Sequence, residues 1–430
     1  MKQPPVHDTK KVISWALYDW GNSAFATTVM AGFFPVFFKQ YWSAGSPAVE
    51  STFRLGAANS IASLVIVAAA PILGAIADRG SAKKRFLFFF AFLGILMTGG
   101  LYFVSKGDWL TAACLYVFGT IGFSGGNVFY DSLLVSVAGP KKVDFVSALG
   151  FSLGYLGGGI LFALNVFMTL KPQLFGLETA AEAVRWSYIT VALWWAVFSL
   201  PILLFVDEPR QSQHTRLNLK TVSDGFRQLA QTFAEIRRLK IVFVFLIGYW
   251  LYIDALDTIV RMAVDYGLAI GFETTGLMTA LLITQFVGFP AAIAFGKIGE
   301  KLGAKTGILI GIGIYILITV WAYFMQEQRE FYILAVGIGL IQGGVQSLSR
   351  SLYSRIIPHN KSAEFFGFYN MLGKFAAVIG PLLMGVVGII SGDSRTGILS
   401  LVILFTAGGA LLWRVDVEEG MRMARELEKD

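Results

Sequence analysis

GAIADRGSAKKR, residues 74–85, and GKIGEKLGAKT, residues 296–306, are two copies of one pattern in a single 430-residue chain. Each copy closes a long apolar run. Each opens on a glycine (Gly74, Gly296) and carries an acid four residues later (Asp78, Glu300), with a base beside it (Arg79, Lys301). A lysine follows five residues after the acid (Lys83, Lys305), and then another apolar run begins. A charged turn between two apolar runs, repeated at equivalent places, reads as a chain built from two similar halves.

The flanks repeat as well. WALYDWGNS (15–23) opens the first half and WLYIDALDT (250–258) the second. Gly125-Gly126 followed by Ser132-Leu133-Leu134 has a counterpart in Gly343-Gly344 followed by Arg350-Ser351-Leu352. The apolar runs between these landmarks are about 20 residues long, the length that crosses roughly 30 Å of hydrocarbon as a helix. They fall at 12–39, 53–77, 86–104, 110–138, 143–169 and 186–206, then at 240–264, 271–295, 306–325, 331–356, 364–389 and 396–413. Composition agrees: 55% of residues are hydrophobic and 15% charged, with a mean hydropathy of +0.64. A soluble domain carries roughly a quarter charged residues.

The expected fold is therefore all-α and membrane-spanning, with twelve helices in two six-helix bundles. Its divisions are a first bundle over 1–206, a linker over 207–239, a second bundle over 240–415 and a tail over 416–430. In the linker, Leu219, Val222, Phe226, Leu229, Phe233, Ile236 and Leu239 recur at steps of three and four, which predicts an amphipathic helix on the membrane face. The polar N-terminal segment runs into the first span without a small-residue cleavage site and is expected to be retained. Lys and Arg number 25 on the side holding both termini and 7 on the other, with 3 inside spans. By the positive-inside rule both termini are cytoplasmic, in a bacterial inner membrane.

The doubled turn resembles the cytoplasmic loop signature of the major facilitator superfamily. More narrowly, WALYDWGNSAF (15–25), GYLGGG (154–159), GGVQSLSRSLYSRIIP (343–358) and AEFFGFYN (363–370) resemble the autophagy-linked vacuolar amino-acid effluxers and their bacterial relatives. The resemblance covers most of the chain and implies the major facilitator fold. It also implies a cytoplasmic gate made by Gly74, Asp78, Arg79, Lys83, Gly296, Glu300 and Lys301, with Asp78 facing a helix N-terminus across the interface. Ser81 departs from the pattern, which has a second glycine there. Tyr155 stands where a related exporter motif has proline.

A charge at the bilayer centre costs roughly 2.5–3.5 kcal/mol, so each asks for a reason. Spans 3, 6, 9 and 12 contain none. The intramembrane charges sit on spans 1, 4, 7, 10 and 11, which line the cavity in the resembled fold. Asp19, Asp131 and Arg350 lie about 12–14 Å from the cytoplasmic boundary at 1.5 Å per residue. Asp19 and Asn22 share one helix face, and Asp254 and Asp257 repeat it. Asp131 and Arg350 occupy near-equivalent turns and are read either as a gate bridge or as a solute site. Asp257 and Arg261 are spaced to pair along one helix. Lys374 has no acid within four residues on its own helix and is read as a cavity cation. Asn127, Asn165, Gln285, Gln342, Gln346 and Asn370 are read first as interhelical ties.

These residues predict a secondary transporter of a small polar or zwitterionic solute, an amino acid or related metabolite. Asp19, Asn22, Asp131, Asp254, Asp257, Arg350 and Lys374 are its solute and proton-coupling candidates. A carboxylate removed from water has its neutral form favoured, which suits coupling to protons. Transport of a lipid, amphiphile or drug is the alternative within the same fold. An enzyme is not expected: no span holds a histidine, one cysteine (Cys114) forms no cluster, and GEKLGAKT (299–306) fails the phosphate-loop spacing. No cofactor or metal is called for. The expected partners are the solute and membrane lipids, with no nucleic acid, and the chain is expected to act as a monomer.

Overall fold

The computed structural model describes residues 8–46, 48–80, 82–139, 141–208, 236–269, 272–375, 379–391 and 394–428. Among these the chain is helical throughout, without strands. The helices are α1 (Thr9–Trp42), α2 (Ala48–Gly80), α3 (Lys83–Phe103), α4 (Trp109–Val137), α5 (Val143–Leu170) and α6 (Ala180–Phe205) in the first half. The second half has α7 (Lys240–Ala269), α8 (Thr274–Leu302), α9 (Ala304–Phe324), α10 (Gln328–Ile356), α11 (Ser362–Phe375), α12 (Ile379–Ser391) and α13 (Arg395–Trp413). A last helix, α14 (Val417–Leu427), follows.

Eleven of these are long and apolar enough to cross a membrane. The remaining expected span, 364–389, is divided between α11 and α12, the latter contributing the apolar stretch Ile379–Gly388. The fold is thus the expected one, two six-helix bundles. Starts are fixed by side-chain caps: Asp8, Asp108 and Thr179 accept hydrogen bonds from the backbone of Lys10, Thr111 and Glu182, and Glu327 and Glu330 form a capping box for α10. Between α8 and α9, Gly303 turns the chain at φ +86°, a conformation open chiefly to glycine. In α1, wide π-type turns over Phe25–Phe33 and Phe38–Trp42 flank Pro35, which lacks the N–H a regular turn would use.

Two hydrophobic cores correspond to the two halves. The helices that carry the charge-free spans, α3, α6, α9 and α13, lie at the periphery, as their sequences predict. They turn apolar side chains outward, including Phe88, Phe92 and Leu96 on α3 and Leu193, Val197, Leu200 and Leu204 on α6. Spacing of three and four places each set on one helix stripe, fit to face lipid. The halves meet through α2 against α11 and α5 against α8, with α4 and α5 also touching α11 and α10. Ala363 of α11 is buried in the first half's core.

The doubled motif glycines are where the backbones cross. A Cβ on Gly74 would run into the Ala363 carbonyl oxygen, and one on Gly296 would stand 2.6 Å from Ala148 Cβ. The lysines that follow cap a neighbouring helix in each half. Lys84 Nζ donates to Val206 O (2.7 Å), and Lys305 Nζ donates to Trp413 O (2.7 Å) and Val415 O (2.9 Å). The expected linker helix lies outside the described residues apart from its last turn. The tail, expected only as a tail, forms α14, packed against α7 and α10.

Candidate functional site

The α1 sequence WALYDWGN puts Trp15, Tyr18, Asp19 and Asn22 on one face, turned toward α4 and α5. Trp15 and Tyr18 are buried, Trp15 stacking on Tyr130 at 4.3 Å and donating from Nε1 to Tyr130 O at 2.9 Å. Asp19 is half-buried. Its Oδ1 accepts from Ser23 Oγ (3.0 Å) and its Oδ2 from the Tyr130 hydroxyl (3.3 Å). The α5 glycines make the room. A Cβ on Gly150 would meet the Tyr130 hydroxyl at 2.6 Å and Arg350 Nη2 at 3.0 Å, and one on Gly154 would meet Ser23 Oγ at 2.6 Å.

Arg350 of α10 reaches across to this cluster. Its Nη1 donates to Asp131 Oδ1 (2.9 Å), its Nε to Ser147 Oγ (2.9 Å) and its Nη2 to Ser147 O (2.7 Å). Phe151 lies 4.3 Å from the guanidinium carbon and Trp15 5.0 Å, so aromatic faces cover the charge. The second Asp131 oxygen, Oδ2, accepts from Asn370 Nδ2 of α11 at 3.1 Å. Arg350 is 3% exposed and Asp131 7%. Of the two sequence readings of this pair, the bridge between halves is the arrangement present.

These groups edge a cavity of about 180 Å³ between the halves. Asp19, Asn127 and Asp131 line it from the first half, and Asp257, Gln346 and Arg350 from the second. Tyr249 and Tyr369, stacked at 4.2 Å, wall the second half's side. At roughly 10–15 Å³ per water this is the space of about a dozen waters, on the scale of a solute with around ten non-hydrogen atoms.

A second set of bonds joins the halves nearer the end where the N-terminus lies. Asp144, in the first turn of α5 and 1% exposed, accepts from Ser351 Oγ (2.5 Å) and Arg355 Nη2 (2.7 Å), both on α10. Ser147 Oγ donates to Ser347 O (2.8 Å). Lys83 Nζ donates to Ser362 Oγ at 2.7 Å, while its backbone N–H donates to Glu208 at 2.6 Å. Further along the interface Gln285 Nε2 donates to Thr27 Oγ1 at 3.1 Å.

Not every sequence candidate reaches the cavity. Asn22 is buried behind it and donates to Asn127 Oδ1 at 2.7 Å, supporting a residue that does line it. Asp254 is fully buried and turned away. It accepts the backbone N–H groups of Ile379 (3.1 Å) and Gly380 (3.0 Å), the first described residues of α12. Glu300 and Lys301 are exposed, and Asp144 takes their expected place at the α8 crossing, beside Gly299. The side chains of Asp78, Arg79, Arg261 and Lys374 lie outside what is described. Lys374 sits on α11 one turn beyond Asn370.

Sequence reading missed Asp144, Ser147 and Tyr130. A usable signal exists for the first: DFVSALG (144–150) opens α5 as EFFGFYN (364–370) continues the start of α11, so Asp144 and Glu364 are repeat mates at the same interface.

Similarity to known proteins follows the same lines. The family model described as "Vacuole effluxer Atg22 like" matches residues 48–143 and 138–425. The chain is 38% identical over 420 residues to an uncharacterized MFS-type transporter, YxiO, of Bacillus subtilis, covering 97% of each. It is 26% identical to autophagy-related protein 22 of Kluyveromyces lactis over 80% of this chain and 75% of that one. Among solved structures, the proton:xylose symporter XylE superposes with TM-score 0.72 at 12% identity, over 97% of this chain and 98% of that one. The transporter FucP in its outward conformation gives 0.68 at 12%, over 95% and 99%. The chain belongs to the Atg22-like family of the major facilitator superfamily, and is a multi-pass membrane transporter.

Proposed function

We propose that this transporter moves a small zwitterionic solute, an amino acid or a close relative, by proton-coupled alternating access. The observation that carries the reading is the cavity's makeup: carboxylates from both halves, one arginine and hydrogen-bonding amides around space for about ten non-hydrogen atoms. A zwitterion can pair its ammonium group with Asp19 or Asp257 and its carboxylate with a cation. The lining also offers Phe151, Ile253 and the tyrosine rings to an apolar side chain, but an acyl chain of lipid length exceeds the space. Asp19 is the proposed proton-coupling carboxylate, since its described partners, Ser23 and Tyr130, are neutral. Lys374 is the proposed cation for the solute's carboxylate.

The proposed orientation puts both termini in the cytoplasm, because 25 Lys and Arg fall on that side against 7 on the other. The Asp131–Arg350 and Asp144–Arg355 bridges then close the cytoplasmic side. Ser212→Cys in a Cys114→Ser background should resist an impermeant thiol reagent added outside intact cells, and strong labelling would overturn the orientation. For the solute, purified protein is screened for thermal stabilisation by amino acids, dipeptides, sugars, nucleosides and lysolipids. Hits are then tested in proteoliposomes for accumulation driven by a pH gradient. Stabilisation by lysolipids with none by amino acids would reject the reading.

A further inference from the structure

A second cavity, about 160 Å³, sits at the same end of the molecule as the Asp144 bridge and apart from the solute site. Three units build it. Val135, Ala138 and Val143 come from the first half, Ser354, Arg355 and His359 from the second, and Met421, Ala424 and Arg425 from α14. Ile357 adds to the apolar lining, and the carboxylate of Glu428 stands in it with Arg355, His359 and Arg425. Among the described residues Arg355 bonds to Asp144 through Nη2, and its buried Nε has no hydrogen-bond partner. Of the five guanidinium donors one is used by Asp144, so the group keeps donors to spare for a further acceptor.

α14 is held firmly enough to be a wall. A Cβ on Gly420 would stand 2.9 Å from both Ile241 and Ile356 side chains, so the helix rests directly on α7 and α10. Its end is pinned where Glu428 Oε1 accepts the His359 backbone N–H at 2.6 Å.

We propose that this cavity binds an anionic amphiphile of about ten non-hydrogen atoms in all, with a carboxylate head against Arg355 and Arg425 and a short acyl chain along the Val135–Ala138–Met421 floor. Its walls belong to both halves, and those walls part if the halves separate at this end. Occupancy therefore stabilises the arrangement described here over one opened at this end, and slows transport by holding one state. The site takes no part in solute recognition, so it stands or falls separately from the proposed substrate.

The test uses the full chain purified in a neutral maltoside detergent, with octanoate as probe. Acetate supplies the head without the chain, octanol the chain without the head, and inorganic phosphate an unrelated anion. Octanoate should raise the melting temperature in a saturable way, with the three controls giving less than a quarter of its shift at equal concentration. Arg425→Gln should leave the ligand-free melting temperature unchanged and weaken octanoate at least fivefold, and Arg425→Glu should abolish its effect. If Arg425→Gln proves unstable, His359→Gln serves as the second variant, with the same direction expected. Equal shifts from octanol would reduce the effect to apolar partitioning, and equal shifts from acetate or phosphate to non-specific anion binding. Either result, or an octanoate response unchanged in the variants, overturns the proposal.

Discussion

The Asp144 bridge gives a quantitative handle on how the halves are held. Asp144→Asn keeps an acceptor for Ser351 but removes the charge facing Arg355. A hydrogen bond to a charged group contributes about 1.5–3 kcal/mol. The Arg355 side chain is 25% exposed, which moves the value toward the lower end, about 1.5 kcal/mol. Both bonds exist only while α5 and α10 are together, so the loss falls on the closed state alone. A change of about 1.4 kcal/mol is tenfold in an equilibrium constant, so Asp144→Asn should shift the closed-to-open ratio roughly tenfold. Asp144→Ala also removes the Ser351 bond, about 1 kcal/mol more, for a total shift of roughly fiftyfold.

The assay is a spin-label distance distribution between Lys141→Cys and His359→Cys, one on each side of the interface, in a Cys114→Ser background. The long-distance population should grow in the order native, Asn, Ala. Arg355→Gln should match Asp144→Asn, and the double variant should exceed neither by much, since both remove one interaction. Unchanged distances in Asp144→Ala, or additive effects in the double variant, would refute the argument that this bridge biases the two states.

Four further outcomes are expected. Asp19→Asn should retain solute exchange between equal pools while losing accumulation driven by pH; Lys374→Ala should instead weaken solute binding by about 1–3 kcal/mol, read as a raised dissociation constant. Asp254→Asn should lower the melting temperature, corresponding to about 1 kcal/mol for one lost hydrogen bond with the α12 backbone, with solute affinity unchanged in the folded protein. Gly74→Ala should open the same spin-label distance more than Gly296→Ala, because the first meets a backbone carbonyl and the second a side-chain methyl.

Much of this was legible in the sequence, because membrane-spanning chains advertise their helices and repeats advertise their symmetry. The doubled turn placed Gly74 and Gly296 at equivalent crossings, and the charge-free spans marked the peripheral helices. The Asp131–Arg350 pair was visible because two opposite charges at matched depth in a membrane have few other partners. Asp254 misled because its partners are the backbone N–H groups of Ile379 and Gly380, more than a hundred residues away. No side-chain pattern signals that. Asp144 was overlooked for the opposite reason: an acid in a helix's first turn, just after two lysines, looks like an ordinary cap at a water boundary. Glu300 and Lys301 copied the motif in letters, yet the second copy's interlock is made by a residue from the facing half.

The triple grip on Arg350 has a consequence for the path between states. Closed, the guanidinium has Asp131 and both Ser147 oxygens, and opened, it would have water. What it cannot have is neither. An intermediate parted enough to break those bonds would leave the guanidinium only the cavity on one side, with Phe151 and Trp15 still covering the rest, at several kcal/mol. Partial gaping at this end is therefore disfavoured, and the motion is expected to be all-or-none, with no long-lived half-open form through which ions could leak. A carrier built this way would be tight because its least stable position is the one in the middle.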